Sequence, residues 1–153
     1  MTTTISKNKN SNWTISDIPN LDGKTAFITG ANSGLGYYTA KALAEKNAHV
    51  LLACRSLEKA NSAIDKLKSL NPKGKFTPIE LDLSDSNNVS EIGSKISGKV
   101  ENLDLLINNA GIMHPPKTLS KQGFEIQFAV NHLAHMLLTV SYTHLTLPTT
   151  PYV

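Results

Sequence analysis

The chain has 153 residues, of which 40% are hydrophobic and 18% charged, and its formal net charge is +3. This length and composition are typical of a single globular domain. The small, scattered positive charge argues against nucleic acid as a partner, and no apolar run approaches the roughly 18 to 20 residues that span a membrane. Residues 1–20 are polar and resemble no secretory signal, and the single cysteine, Cys54, cannot form an internal disulfide. We therefore expect a cytoplasmic protein.

Four short runs rich in β-branched residues or leucine predict strands that are buried on both faces. The runs are TAFIT from Thr25, HVLLAC from His49, FTPIEL from Phe76 and LDLLIN from Leu103. Between these runs, apolar residues recur at the spacing of a helix. The three sets are Leu35, Tyr38 and Ala42; Leu57, Ala60, Ile64 and Leu67, which follow Ser56 as a predicted N-cap; and Val89, Ile92 and Ile96. A last segment, GFEIQFAVNHLAHMLLT, is apolar nearly all round, so we expect it to be buried. This alternation predicts an α/β fold with a parallel sheet and helices on both faces.

A glycine-rich stretch, TGANSGLG, follows the first predicted strand and opens the first helix. Glycine permits a sharp turn and lets the backbone approach a pyrophosphate at a helix N-terminus. The spacing of Gly30, Gly34 and Gly36 differs from G-x-G-x-x-G, and no Gly-Lys-Ser/Thr follows as in a phosphate loop. From the glycines alone, a strand-to-helix turn without a ligand remains an alternative.

Four motifs, in order along the chain, resemble those of the short-chain dehydrogenase/reductase family. TGANSGLG resembles the glycine turn, LDLSD the acidic position after the third strand, NNAG the end of the fourth strand, and Asn131 the asparagine of the next helix. The resemblance covers about residues 13–139, and the leading NWTISDIPNLDGK is similar to the subgroup related to retinol dehydrogenases. It implies a Rossmann-type doubly wound sheet, truncated to about four strands in the order 3-2-1-4.

The resemblance also implies which residues bind a nicotinamide dinucleotide. Those at the pyrophosphate are Gly30, Ser33, Gly34, Leu35 and Gly36. Those under the ribose are Asn109, Ala110 and Gly111, where small residues permit close approach.

Two further positions bear on which dinucleotide is bound. Arg55 follows the second predicted strand, where the family places an acid for a 2′-hydroxyl or a base for a 2′-phosphate. A guanidinium binds a phosphate well, so NADP(H) is favoured over NAD(H), with a solvated arginine as the alternative. By resemblance Asp82 accepts a hydrogen bond from the adenine amino group, but it could instead cap a helix beginning near Ser84.

Asn131 is the one catalytic residue of the family that the resemblance locates in this chain. By resemblance it helps to hold a water of the proton relay. It lies among apolar residues, and because a buried amide needs partners, the alternative is a hydrogen bond to a neighbouring backbone. His132 and His135 have a spacing that metal sites use, but no cysteine or acidic partner accompanies them, so we expect no metal.

The family moves a hydride between the nicotinamide and a carbonyl or alcohol carbon, using a tyrosine, a lysine four residues later and an earlier serine. No Tyr-x-x-x-Lys follows Asn131, since the last lysine is Lys121, and Ser141 directly adjoins Tyr142. This pair is therefore not the active site, and we expect the chain as given to be inactive. The parent protein is expected to be an NADP(H)-dependent oxidoreductase of a small apolar carbonyl or alcohol, and it could form a homo-oligomer when full length. The alternative is a non-catalytic dinucleotide-binding or regulatory module.

The last residues differ in character from the rest of the chain. Residues 140–153 contain no charged residue, and VSYTHLTLPT resembles the translation of a sequencing-library adapter. We therefore predict an N-terminal extension at 1–20, the dinucleotide-binding domain at 21–139 and a non-native tail at 140–153. A natural splice variant is the alternative, and resequencing the locus beyond the codon for Thr139 distinguishes the two.

Overall fold

The computed structural model describes residues 13–97, 99–100 and 102–146, which form a parallel sheet flanked by helices. The strands are β1 (Thr25–Thr29), β2 (His49–Cys54), β3 (Lys75–Glu80) and β4 (Leu105–Ile107). They are all parallel and lie in the order β3-β2-β1-β4. The predicted α/β class and strand order are confirmed. The first two strands have the predicted bounds, and β4 is shorter than its apolar run.

Helices follow each strand, as the alternating pattern predicts. They are α1 (Gly34–Glu45), α2 (Leu57–Leu70), α3 (Ser86–Ser90), α4 (Ile92–Ser97), α5 (Ile126–Phe128) and α6 (Ala134–Thr146). A 3-10 turn (Ile15–Asp17) precedes β1, and a π turn (Ala129–Leu133) joins α5 to α6. The predicted cap of α2 is confirmed, because the Ser56 side chain accepts from the Lys59 amide. Within the described ranges, none of these helices is both long enough and apolar enough to cross a bilayer.

Two apolar cores lie on opposite faces of the sheet because successive strand residues point to opposite sides. On β2, Leu51 and Ala53 belong to one core, whereas Val50 and Leu52 belong to the other. The first core is closed by α3, α4, the π turn and α6, and the second by α1 and α2. The core residues that lie on the strands are fully buried. The loops at the carboxyl ends of the strands are therefore attached to a well-packed sheet.

The sequence pattern assigns the wrong face of α1 to the core. Leu35 and Tyr38 of the predicted stripe are 76% and 66% exposed, and the buried residues are instead Gly36, Ala40 and Ala44. Small residues on the buried face let the helix axis approach the sheet closely, and larger side chains would hold it away. The large apolar residues of this helix therefore lie outside.

The segment from α5 to α6 is also only half buried, although its composition predicts burial on all sides. Val130 and Leu138 pack into the core, while Phe128 and Met136 are 50% and 61% exposed. Helical structure continues to Thr146 rather than ending at residue 139. Residues 1–12 and 147–153, where most of the predicted extension and half of the predicted tail fall, lie outside the described residues.

In the described part of the chain, β4 pairs with β1 along one side only, and Leu105 is 36% exposed there. Because an open strand edge can pair with another chain, we expect the 153-residue chain to associate as its concentration rises. Leu105→Lys should reduce this association, since a charge on the edge opposes pairing. Sedimentation velocity measures it, with Leu70→Lys on an exposed part of α2 as the control. Equal effects of the two variants would contradict a role for the edge.

Candidate functional site

The carboxyl ends of the strands border a cleft of about 400 Å³. The chain order of the strands reverses between β1 and β4, and open α/β sheets bind ligands at such a switch point. The predicted site residues that line the cleft are Gly30, Arg55, Asp82, Ala110 and Gly111. The other predicted site residues are not among the lining residues; they are Ser33, Gly34, Leu35 and Gly36 at the start of α1, Asn109 in the loop after β4 and Asn131 in the π turn.

The glycine turn presents unpaired donors at the start of α1. Ser33 is the N-cap residue, yet its side chain accepts no capping hydrogen bond, so its hydroxyl remains available. The first amides of a helix have no intrahelical partner and attract an anion. Gly34 has a φ of +55°, and Leu35 is 76% exposed and is not one of the residues that line the cleft.

Gly30 and Gly36 are needed because the turn after β1 packs against the turn after β4. A Cβ atom on Gly30, whose φ is +66°, would lie 3.0 Å from the Cα and Cβ atoms of Ala110. A Cβ atom on Gly36 would lie 2.5 Å from Asn109 Nδ2 and 2.6 Å from the Gly30 oxygen. Asn109 Nδ2 donates to the Thr29 carbonyl at 2.9 Å, so this side chain holds the two turns together. The sequence motifs are thus brought into direct contact.

Thr29, at the end of β1, is a site residue that the sequence analysis missed. Its hydroxyl oxygen is 2.9 Å from the backbone N–H of both Asn109 and Ala110, and it accepts from each. It is 1% exposed, and a polar residue ending a fully buried strand was the available signal. Through these two hydrogen bonds, Thr29 fixes the position of the Asn109–Gly111 turn relative to the end of β1.

Arg55 lies at the mouth of the cleft, directly after β2. Its side chain is exposed and has no hydrogen bond or ion pair with any residue that the structure describes. The preceding Cys54 faces the same cleft, and burial raises the pKa of its thiol, so the thiol stays protonated at neutral pH. Among the described residues that line the cleft, Arg55 is therefore the only one with a positive charge.

Asp82 does not cap the helix that follows β3, so that alternative is wrong. Its Oδ1 atom accepts from the backbone N–H and the hydroxyl of Ser84, at 2.9 and 2.7 Å. Ser84 thus holds the Asp82 carboxylate in place at the cleft wall.

The N-cap residue of α3 is instead Asp85, whose carboxylate accepts from the amide of Asn87. Hydrogen bonds from Lys121, and then from Gln122, lower the pKa of Asp85 to about 2.

Asn131 lies in the π turn, a kind of helix irregularity frequent at functional sites. Its Oδ1 accepts from the Ile112 amide at 2.9 Å, and its Nδ2 donates to the Ile112 carbonyl at 2.8 Å. The alternative of a hydrogen bond to a neighbouring backbone therefore describes the observed side-chain contacts. The expectation that this amide is buried is wrong, because Asn131 is exposed. The clamp fixes the chain just beyond Gly111.

The two histidines near Asn131 point in different directions. His132 is exposed and stacks on Phe128, with ring centroids 5.3 Å apart. His135 is buried, and its Nε2 atom is 3.0 Å from the Thr29 hydroxyl. Among the described residues, no group of three or more histidine, cysteine or acidic side chains is arranged to hold a metal.

The close contact at Gly36 generates a stability prediction. By helix propensity alone, Gly36→Ala would stabilise α1 by up to about 1 kcal/mol. Because the added methyl group meets backbone at Gly30, we expect it instead to destabilise the fold by about 1–3 kcal/mol. Chemical denaturation measures this change.

Asn109→Ala supplies the matched control for Gly36→Ala. Since Asn109 Nδ2 is one of the two atoms that the methyl group meets, the double variant should lose less stability than the sum of the single variants. Additive losses, or a stabilised Gly36→Ala, would contradict the contact.

Comparison with known proteins agrees with this geometry. Residues 24–147 match the family model described as short chain dehydrogenase. The chain is 42% identical over 137 residues to an uncharacterized oxidoreductase of Schizosaccharomyces pombe, covering 90% of this chain and 39% of that protein. It is 41% identical over 119 residues to human retinol dehydrogenase 13, covering 78% of this chain and 36% of that protein. The chain thus spans less than half the length of these relatives.

Solved structures share the fold. A Mycobacterium paratuberculosis protein of uncharacterized function superposes with a TM-score of 0.78 at 39% identity, covering 89% of this chain and 47% of that one. A metagenomic short-chain oxidoreductase in complex with NADP superposes with a TM-score of 0.71 at 26% identity, covering 82% of this chain and 57% of that one. With its glycine turn, its sheet order and its family match, this chain belongs to the short-chain dehydrogenase family.

Proposed function

We propose that the cleft binds NADP(H) and that the parent protein is an oxidoreductase of small, apolar carbonyls or alcohols. The observation that carries the proposal is the junction of the glycine turn with the Asn109–Gly111 turn at the switch point of the sheet. Bound there, the nicotinamide would supply the hydride chemistry. The chain's own residues bind and orient the dinucleotide.

The start of α1 suits a pyrophosphate. Its first amides have no partner within the helix, the Ser33 side chain makes no capping hydrogen bond, and the helix dipole adds positive potential there. Gly34 leaves open space beside them, since a Cβ atom on Gly34 would meet nothing within 4 Å. An elongated anion could therefore approach the backbone directly.

The opposite wall suits a ribose and a base. Ala110 and Gly111 line the cleft with little side-chain bulk, and Asn131 holds the following residue in place. Asp82 keeps its backbone and carboxylate fixed through Ser84 and Asn88, so it offers a preorganised acceptor to an adenine amino group. Preorganised polar groups bind more tightly because little ordering is needed on binding.

Arg55 supports NADP(H) over NAD(H). A guanidinium without a protein partner, at the end of β2, is available to pair with a 2′-phosphate. NAD(H) carries a hydroxyl there, which is bound best by a carboxylate, and no acidic residue directly follows β2. The structural relative that holds NADP is consistent with this preference.

A non-catalytic dinucleotide-binding module is the second candidate function. It rests on one observation in the sequence as given, that Thr146 rather than a lysine lies four residues after Tyr142. Assay of the protein translated from the complete reading frame distinguishes the two candidates. Turnover of carbonyl substrates there supports the enzyme, and tight dinucleotide binding without turnover supports the module.

Arg55→Asp in that complete protein should shift preference from NADP(H) towards NAD(H). Losing a charge-assisted contact with the 2′-phosphate should weaken NADPH binding by about 1.5–3 kcal/mol, with little loss of NADH affinity. Fluorescence titration with both dinucleotides measures the ratio. Lys73→Asp, on the exposed turn before β3, makes the same change of charge far from the cleft and should leave the ratio unchanged. An unaltered ratio in Arg55→Asp would reject the role of Arg55.

The 153-residue chain itself should reduce no aldehyde or ketone. Asn131 alone cannot protonate an alkoxide, because an amide is far too weak an acid to act as a general acid. Both polar groups of its side chain are also bound to Ile112. NADPH oxidation followed with several carbonyl compounds checks this expectation. Clear turnover would reveal a proton donor outside the residues considered above.

A further inference from the structure

His135 is a buried histidine on the face of α6 that packs against the end of β1. It is 8% exposed. Its Nε2 atom is 3.0 Å from the Thr29 hydroxyl oxygen, and its Nδ1 atom is 3.4 Å from the Asn131 carbonyl oxygen. The ring therefore connects the π turn to the strand that ends in the glycine turn.

The two partners decide which ring nitrogen carries the proton. A backbone carbonyl only accepts, so Nδ1 carries the hydrogen and donates it to Asn131. Nε2 then has a lone pair and accepts the hydrogen of the Thr29 hydroxyl. Burial lowers the pKa of His135, and the Asn131 carbonyl opposes this only in part, which favours the neutral ring at pH 7. Among the described residues, the hydrogen-bonding neighbours of the ring are Thr29 and Asn131, and neither is charged.

The Thr29 hydroxyl is saturated only with this tautomer. A hydroxyl has one hydrogen and two lone pairs. The oxygen accepts from the amides of Asn109 and Ala110, each 2.9 Å away. The Asn109 amide is also 3.0 Å from the Ile107 carbonyl oxygen, so the Ala110 amide is the one that depends on Thr29. The nearest acceptor for the hydrogen is His135 Nε2, since the Ile107 carbonyl is 3.4 Å away. A protonated His135 would place a third donor on an oxygen that has two lone pairs.

A second link joins the same helix to the same turn. The Thr139 hydroxyl donates to the His135 carbonyl at 2.7 Å and accepts from Asn108 Nδ2 at 3.0 Å. One turn of α6 thus holds both the strand end, through Thr29, and the loop after β4, through Asn108. The position of this loop depends on α6 at two points.

We propose that His135 is a positioning residue. In its neutral form it accepts a hydrogen bond from the Thr29 hydroxyl, and through Thr29 it holds the Asn109–Gly111 turn in the position in which that turn meets the cofactor ribose. The proposal rests on the proposed dinucleotide site. Protonation of the ring breaks the arrangement, releases an amide of the turn and weakens dinucleotide binding in acid. His135 touches no reacting atom, so it acts only through Thr29.

The experiment begins with the full 153-residue chain and no dinucleotide. In this sequence an asparagine directly precedes an alanine only at 47–48 and 109–110, so ¹³C-carbonyl asparagine with ¹⁵N-alanine labelling selects the amides of Ala48 and Ala110. Ala48 donates to Leu43, far from the ring, and serves as an internal control. Ring ¹⁵N shifts of His135 report its tautomer and its titration in the same sample.

We expect hydrogen on Nδ1 at neutral pH and an Ala110 amide shift that follows the His135 titration below the ordinary histidine pKa, with Ala48 unchanged. His135→Gln can still accept from Thr29 through its side-chain oxygen, so Ala110 should keep its neutral-pH shift and lose the pH response. His135→Leu should change the Ala110 shift at every pH. His132→Leu, at an exposed position, should change neither. An Ala110 shift that ignores the titration, or hydrogen on Nε2 at neutral pH, would overturn the proposal.

Titration of NADPH into the same variants in the complete protein tests the consequence for binding. His135→Leu should weaken binding about tenfold, the effect of roughly 1.4 kcal/mol from an unmatched buried hydroxyl, while His135→Gln should stay within about twofold. Equal weakening by Gln and Leu would overturn the positioning role, because it would reflect packing alone. If neither the unmodified protein nor any variant binds NADPH, but the Ala110 amide shift still follows the His135 titration, the proposed function fails and the link between His135 and Thr29 stands.

Discussion

The cleft depends on the hydrogen bonds that join the end of β1 to the loop after β4. Thr29 accepts two backbone amides from that loop, and Asn109 returns a hydrogen bond to the Thr29 carbonyl. Thr29 is 1% exposed and the groups that it bonds are half-buried, and an unpaired buried donor or acceptor costs about 1–3 kcal/mol. These hydrogen bonds join two segments some eighty residues apart in the chain.

Close contact between the two turns dictates the residue types around them. Gly30 and Gly36 lack the Cβ atoms that would meet Ala110 and Asn109, and α1 follows with alanines against the sheet. The helix consequently lies near enough for its first amides to face the cleft. On the other side, α6 supports the same junction through His135 and Thr139. The site is thus a consequence of how tightly both helical layers pack on β1.

Local pattern predicted much of this architecture. Buried runs such as TAFIT and HVLLAC identify strands because parallel strands covered on both faces are continuously apolar. The motif residues were assigned from their resemblance to family motifs, and Gly30, Ala110 and Gly111 line the cleft. Asp82 shows the limit of such reasoning, since its distance from the next helix left two roles open, and only the observed cap at Asp85 removed one.

What the sequence did not predict depends on contacts between distant segments. Periodicity favoured Leu35 and Tyr38 as buried residues because it weighs side-chain size, whereas close helix–sheet approach selects small residues. The bond between Thr29 and His135 joins residues 106 positions apart, so no local pattern contains it. The π turn at Asn131 contains no glycine or proline that would have indicated it, and its Asn131 bonds Ile112, nineteen positions away.

A crystal structure of the complete protein with bound NADP(H) tests the central claim most directly. The account predicts the pyrophosphate at the first amides of α1 and the Ser33 hydroxyl. It also predicts the 2′-phosphate on Arg55, and a ribose against Ala110 and Gly111. A dinucleotide bound outside this cleft, or bound within it with its pyrophosphate away from α1, would contradict the account.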